Sequence, residues 1–170
     1  MKRTGIRRWL AHAAITPLAV QRLFPPAVRD QITAAIAQAE AGHGGEICFA
    51  VEGSLAWHYL RRNAAVRHRA VALFSEMRIW DTEHNNGVLI YLNLADRGVE
   101  IVADRGIARP VPAAAWDAIC HALKVRCAAG AYGPGVIEAV QAVGELLRTH
   151  FPLAPGEVRV NEIPDRPITL

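Results

Sequence analysis

Residues 80–107 read WDTEHNNGVLIYLNLADRGVEIVADRGI and contain the features that decide the fold of this 170-residue chain. Two runs of apolar and β-forming residues, at 88–94 and 99–102, are separated by the turn-forming segment 96–98. Strands joined by so few residues must be antiparallel. This stretch is therefore predicted to form a β-hairpin.

The hydrophobic pattern on either side of the hairpin predicts the remaining elements. A helix is expected at 27–41, ending at the Gly-rich segment 42–45, and a strand at 46–51. A long amphipathic helix ending near Arg78 precedes the hairpin, and two helices follow it, at 112–127 and from Pro134 onward. This order predicts an α/β fold: a single-domain α/β/α sandwich with a small mixed sheet containing one β-hairpin, plus an N-terminal helical arm.

The chain is predicted to have three parts: a basic amphipathic arm at 1–25, the α/β domain at 26–151, and a Pro-rich extended tail at 152–170. Pro17 is expected to kink or end the first helix. Six basic residues and no acidic one precede position 30, although the net charge of the chain is only +3. They are Lys2, Arg3, Arg7, Arg8, Arg22 and Arg29.

Such an arm is typical of segments that bind a membrane protein or an anionic membrane surface, and also of solvated helices that pack on their own domain. Nucleic acid is not expected as a partner, because no stacked aromatics or recognised motif accompany the charges. The apolar run in the arm is too short and polar for an export signal, and no segment reaches the ~18 apolar residues of a membrane span. We therefore predict a cytoplasmic protein, with a membrane-peripheral position as the open alternative.

The cysteines and glycines do not match known catalytic motifs. Three cysteines without paired spacing argue against a disulfide framework. Cys120 and Arg126 have the spacing of a cysteine phosphatase motif, but they fall inside a predicted helix and on different faces of it. The glycines at 42–45 follow a helix instead of opening one, so they are interpreted as a helix terminator, with His43 as an exposed loop residue.

Acidic and amide side chains crowd one end of the hairpin. Asp81, Glu83 and Asn85 precede its first strand, and Asp104 follows its second, so the two groups are expected to be neighbours. Carboxylate and amide oxygens suit Ca²⁺ or Mg²⁺, and these four residues are the predicted metal ligands. The alternative is that they make ordinary turn and cap hydrogen bonds. No organic cofactor is predicted.

The sequence of the hairpin also resembles that of the TPM domain family. The resemblance rests on Trp80, the segment NGVLIY at 86–91, the Asp-Arg turn at 96–97, the second strand, and the Gly-Ile pair at 106–107. It extends over roughly residues 27–151. It implies an α/β/α sandwich, and it implies the properties linked to that family: divalent-metal binding, acid phosphatase activity in plant plastids, and assembly or maintenance of membrane complexes.

Two departures from the family pattern bear on function. Asn85 stands where the family usually has the Asp of Asp-Asn-Gly, and Ala131 stands where its Gly-Asp-Tyr segment has Asp. Both remove a carboxylate. We therefore predict a cytoplasmic binding or assembly module acting near membrane complexes, with a metal-dependent contact as one form of it. The alternative is a divalent-metal-assisted acid phosphatase, for which the sequence shows no nucleophile or general base.

Overall fold

A four-stranded mixed sheet forms the centre of the computed structural model, which describes residues 5–154, 156 and 160–170. The spatial order of its strands is β3-β2-β1-β4. The strands are β1 (Glu46–Glu52), β2 (Gly87–Asn93), β3 (Gly98–Ala103) and β4 (Ile168–Thr169). β2 and β3 pair antiparallel as the predicted hairpin, whereas β1 runs parallel to both β2 and β4.

The helices cover both faces of this sheet. In chain order they are α1 (Ile6–Ala14), α2 (Pro17–Leu23), α3 (Pro26–Glu40), α4 (Trp57–Arg61), α5 (Val66–Glu76), α6 (Arg105–Ala108), α7 (Ala113–Ala128) and α8 (Tyr132–His150). α3, α7 and α8 pack on one face, and α5 packs on the other. The predicted single-domain α/β/α sandwich is confirmed. The first helix ends at Ala14, and Pro17 begins the second.

The side chains of β1 point alternately to the two faces of the sheet, which explains why there is a hydrophobic core on each face. Ile47, Phe49 and Val51 belong to the cluster beneath α3 and α8, and Cys48 and Ala50 belong to the cluster beneath α5. Successive side chains of a strand point to opposite faces, so an uninterrupted apolar strand needs cover on both. All seven residues of β1 are buried.

The prediction of one long helix before the hairpin is wrong, because the chain forms two helices there. α4 ends at Arg61, and Asn63 adopts a positive φ of 47° before α5 begins. Asparagine tolerates this left-handed backbone better than most residues. The Asn63 side chain also accepts a hydrogen bond from Arg8, so a distant contact fixes the break.

The tail contributes more structure than its sequence predicts. β4 adds an edge strand to β1, and Ile163 is buried in the core beneath α5. The carboxylate of Glu46 accepts the backbone N–H groups of Glu162 and Ile163. The last residues of the chain are therefore anchored to the sheet. Part of the predicted tail, at 155 and 157–159, lies outside the described residues, as do Lys2 and Arg3 of the arm.

Candidate functional site

The four predicted metal ligands are not all brought together. Asp81 lies on the surface, with its Oδ2 2.5 Å from the Nη2 of Arg78. The backbone N–H of Glu83 donates to the carboxylate of Glu162, at 3.2 Å from Oε2. Asp81 thus makes a local contact of the kind that the alternative interpretation expects, whereas Glu83 contacts a residue of the tail, 79 positions away.

Asn85 and Asp104 lie at the same corner, where β2 begins and β3 ends. The N–H of Gly106 donates to the Asn85 carbonyl at 2.8 Å, and the N–H of Asp104 donates to Gly87 at 2.9 Å. A Cβ at position 106 would lie 2.5 Å from the Asn85 carbonyl oxygen, so only glycine permits this approach. The exposed side chain of Arg105 lies over the corner, 3.4 Å from Asn85 Oδ1 and 3.9 Å from Asp104 Oδ1.

Two buried side-chain oxygens at this corner have no hydrogen-bond partner among the described residues. Asp104 is 6% exposed; its Oδ1 accepts the N–H of Arg105 at 2.6 Å and caps α6, while Oδ2 is unpartnered. Asn86 donates through Nδ2 to the Gly44 carbonyl at 2.8 Å, and its Oδ1 is unpartnered. We call Asn85, Asn86 and Asp104 the cation corner, because the unpaired oxygens of Asn86 and Asp104 are of the kind that hard cations bind.

The acidic side chains alone do not make a metal centre. Within the described ranges, no group of three or more His, Cys, Asp or Glu side chains is placed to hold a metal ion. A cation at the corner would therefore depend on the amide oxygens of Asn85 and Asn86 and on backbone carbonyls as well as on Asp104.

The prediction that His43 is an exposed loop residue is wrong. His43 is fully buried, and its Nδ1 accepts the N–H of Gly45 at 3.1 Å. The Gly-rich segment does end α3 as predicted, but it folds back beside Phe151 and Pro152, which the local sequence cannot reveal. Glu40 at the end of α3 is also buried and accepts the N–H of Ile47 at 2.7 Å.

A second polar cluster lies at the opposite end of the hairpin and holds α1 in place. The guanidinium of Arg8 donates to both carboxylate oxygens of Asp96, at 2.7 Å from Nη2 to Oδ2, and also to Asn63 and the Ala64 carbonyl. These contacts join α1 to the hairpin turn and to the break between α4 and α5. Bidentate, nearly buried pairs of this kind are the strong members of their class.

His12, one turn after Arg8, is the second side chain that holds α1 on the domain. Its Nδ1 lies 3.1 Å from the Leu55 nitrogen, whose N–H donates to it, so the proton of the neutral ring sits on Nε2. That nitrogen lies 3.2 Å from Oδ2 of Asp96. Burial acts to raise the pKa of the Asp96 carboxyl, but the hydrogen bonds and charge of Arg8, with a smaller contribution from His12, outweigh it and lower that pKa below its usual value.

These contacts orient α1 with its apolar side outward. Arg8 and His12 are its buried residues, while Ile6 is 78% exposed and Leu10 63% exposed. Trp9 is also exposed and packs edge-on against Trp57 of α4, with ring centroids 5.9 Å apart. We call the exposed surface of Ile6, Trp9, Leu10 and Trp57 the docking face.

Arginines border this docking face. The guanidinium of Arg61 stacks over the Trp57 ring, 4.7 Å from its centroid. Arg7 and Arg62 are exposed as well. The sequence shows that the arm is amphipathic, but it does not show which side of the helix faces the domain. The burial of Arg8 depends on Asp96, a partner 88 residues away.

Comparison with known proteins identifies the fold independently. The family model of the TPM domain matches residues 20–146. The NMR structure of the BA42 protein from the psychrophilic bacterium Bizionia argentinensis is 26% identical, with a TM-score of 0.73, and the match covers 84% of this chain and 92% of that one.

A second solved structure shares the fold. It is the solution NMR structure of the N-terminal domain of a protein from P. gingivalis, 18% identical, with a TM-score of 0.62 over 84% of this chain and 96% of that one. No curated protein matches the chain. α1 precedes the segment that the family model matches, so the docking face lies largely outside it.

Proposed function

The chain belongs to the TPM domain family, and on that premise we propose that it is a binding module that docks on anionic membrane surfaces through the docking face. The observation that carries the proposal is the inverted orientation of α1. A surface helix ordinarily buries its apolar side and exposes its charges. α1 does the reverse, with Arg8 and His12 inside and Ile6 and Leu10 outside.

The chemistry of the docking face fits a lipid interface. Tryptophan is enriched at the boundary between water and hydrocarbon, where its ring is apolar and its N–H is solvated. Ile6 and Leu10 supply side chains that can enter the acyl boundary, and Arg7 and Arg61 supply the positive charge that anionic headgroups attract. Each basic residue near such a surface contributes about 1 kcal/mol.

The proposed binding is peripheral, that is, on the surface of the bilayer. In the part of the chain that the structure describes, no helix has the length and apolar character needed to cross a bilayer. The free thiols at Cys48, Cys120 and Cys127 support a reducing compartment, so the proposal places the docking on the cytoplasmic leaflet.

Vesicle flotation with a matched pair of substitutions tests this proposal. The full chain should float with vesicles of phosphatidylcholine and phosphatidylserine, and much less with phosphatidylcholine alone. Leu10→Glu should weaken binding at least ~10-fold, since burying a leucine is worth about 1.5–3 kcal/mol and the substitution also adds a repelled charge. Leu10 is exposed, so the variant should keep its melting temperature.

Val125→Glu is the control, because Val125 is an exposed apolar residue on α7 and is not part of the docking face. It introduces the same charge at a site that should not touch the bilayer. Equal flotation of wild type and Leu10→Glu, or an equal loss in Val125→Glu, would contradict the proposal.

The cation corner supports a second candidate function, a divalent-cation site. The specific observation is the unpartnered Oδ2 of Asp104, a buried carboxylate oxygen in a loop rich in amide and carbonyl oxygens. Bound Ca²⁺ or Mg²⁺ would satisfy that oxygen, and in the phosphatase alternative the ion would polarise a phosphate ester and activate water.

Thermal denaturation with Ca²⁺, Mg²⁺ or chelator tests the cation corner, because a ligand that binds only the folded state raises its melting temperature. Asp104→Asn should abolish the shift while keeping the Oδ1 cap of α6, and Asp117→Asn, on the exposed side of α7, should preserve it. The same proteins assayed on a phosphomonoester test catalysis. Cation-dependent hydrolysis lost only in Asp104→Asn would support the phosphatase, and a shift without hydrolysis would support binding alone.

A further inference from the structure

We infer that the cavity at the carboxyl end of β2, on the face covered by α7 and α8, binds a small free organic oxyanion, a carboxylate or phosphate carrying a short apolar group. The cavity measures about 190 Å³ and is bounded by the end of the hairpin, the last turns of α7 and the first residue of α8. It is separate from the cation corner, which lies at the opposite end of β2.

The charge of the cavity comes from two basic side chains. Arg97 in the hairpin turn and Lys124 on α7 both line it, and both are exposed. Neither has an ion-pair partner within the described residues. The neighbouring carboxylate, Asp96, is already engaged by Arg8 and His12. Two cations around one concave space, without a protein carboxylate to neutralise them, favour an anionic ligand.

The side-chain chemistry of Arg97 and the start of α8 both favour an anion at the cavity. Arg97 has a φ of 50°, so the turn holds it in a left-handed conformation. A guanidinium offers two parallel N–H donors that match a carboxylate or a phosphate, whereas Lys124 acts as a point charge. Tyr132 is the first residue of the 19-residue helix α8, whose positive end therefore lies at the cavity wall.

The apolar floor of the cavity would contact the part of the ligand that carries no charge. Leu92, Leu94 and Val99 line it and are buried. The ring of Tyr132 packs edge-on against Phe24, with centroids 6.1 Å apart, which holds it beside this apolar floor. That space admits a compact organic acid.

Isothermal titration with phenyl phosphate, benzoate and inorganic phosphate tests this inference, with neutral benzyl alcohol for comparison. The two aromatic anions should bind the wild-type chain, inorganic phosphate more weakly, and benzyl alcohol not measurably. Arg97→Gln and Lys124→Gln should each weaken the binding of the anions about 10-fold or more.

Two further variants separate a pocket from a general charge effect. Arg109→Gln removes an exposed arginine that does not line the cavity and should leave the affinity unchanged. Ala128→Phe fills the cavity with its charges intact and should abolish binding of the aromatic anions. Far-ultraviolet circular dichroism checks that each variant is folded. The inference fails if the wild type binds neither aromatic anion, or if Arg109→Gln weakens binding as much as Lys124→Gln does.

Discussion

Asp96 is the residue on which the position of α1 depends. It receives the bidentate guanidinium of Arg8 and lies 3.2 Å from the ring of His12. Asp96→Asn keeps the shape but removes the charge, and leaves Arg8 nearly buried without its counterion. We expect a loss of about 1–3 kcal/mol of unfolding free energy near neutral pH, as for other buried polar groups that lose a partner.

The pH dependence of that loss has a defined sign. The pKa of Asp96 is lowered in the folded protein relative to about 3.9 in the unfolded chain. The stability it contributes is therefore present above the unfolded value and is lost as the pH falls through the folded value. The difference in melting temperature between wild type and Asp96→Asn should shrink as the pH is lowered from about 6 to about 3. A difference that stayed constant over this range would show that the charge of Asp96 does not stabilise the fold.

Single residues also show where sequence reasoning ends. Asp104 and Asn85 were predicted as neighbours from strand pairing alone, since the ends of a hairpin meet. Proximity in sequence predicts Asp81 and Glu83 in the same set, yet they contact Arg78 and Glu162. Glu162 lies 79 residues from Glu83, so no local pattern could have indicated that contact.

At the level of elements, β4 is the part of the sheet that its own sequence does not define. A strand of two residues carries no alternation, and it forms here because β1 presents a free edge and Ile163 inserts into the core beneath α5. The hairpin, by contrast, was predictable because its turn chemistry and both apolar runs lie within 28 consecutive residues. Elements specified by local chemistry could be predicted, and elements specified by a remote partner could not.

Substitution of Ile163 measures how much the tail stabilises the domain. Ile163→Ala removes buried apolar atoms and should lower the unfolding free energy by about 2 kcal/mol or more, measured by urea denaturation. Val160→Ala is a matched control from the same segment, because Val160 is exposed, and it should change stability by less than about 0.5 kcal/mol. If both variants were as stable as the wild type, the tail would not be part of the cooperative fold.

Across the whole molecule, the two ends of the sheet have different chemistry. The cation corner lies where β2 begins, and the contacts that hold α1 lie where β1 and β2 end, at Ser54, Leu55 and Asp96. The seven residues of β2 span roughly 20 Å at about 3.3 Å per residue. That distance exceeds the ~8 Å Debye length at physiological ionic strength.

The two proposed functions should therefore be independent. At constant ionic strength, Ca²⁺ or Mg²⁺ should change the binding of wild type and Asp104→Asn to phosphatidylserine vesicles equally, because a cation on the headgroups acts on both proteins and a cation held at Asp104 is too far from α1 to bridge to lipid. Asp104→Asn should float like the wild type, and Leu10→Glu should keep the cation-dependent rise in melting temperature. If flotation required the cation and Asp104→Asn abolished it, the lipid surface would have to include the cation corner, and the outward face of α1 would need another partner.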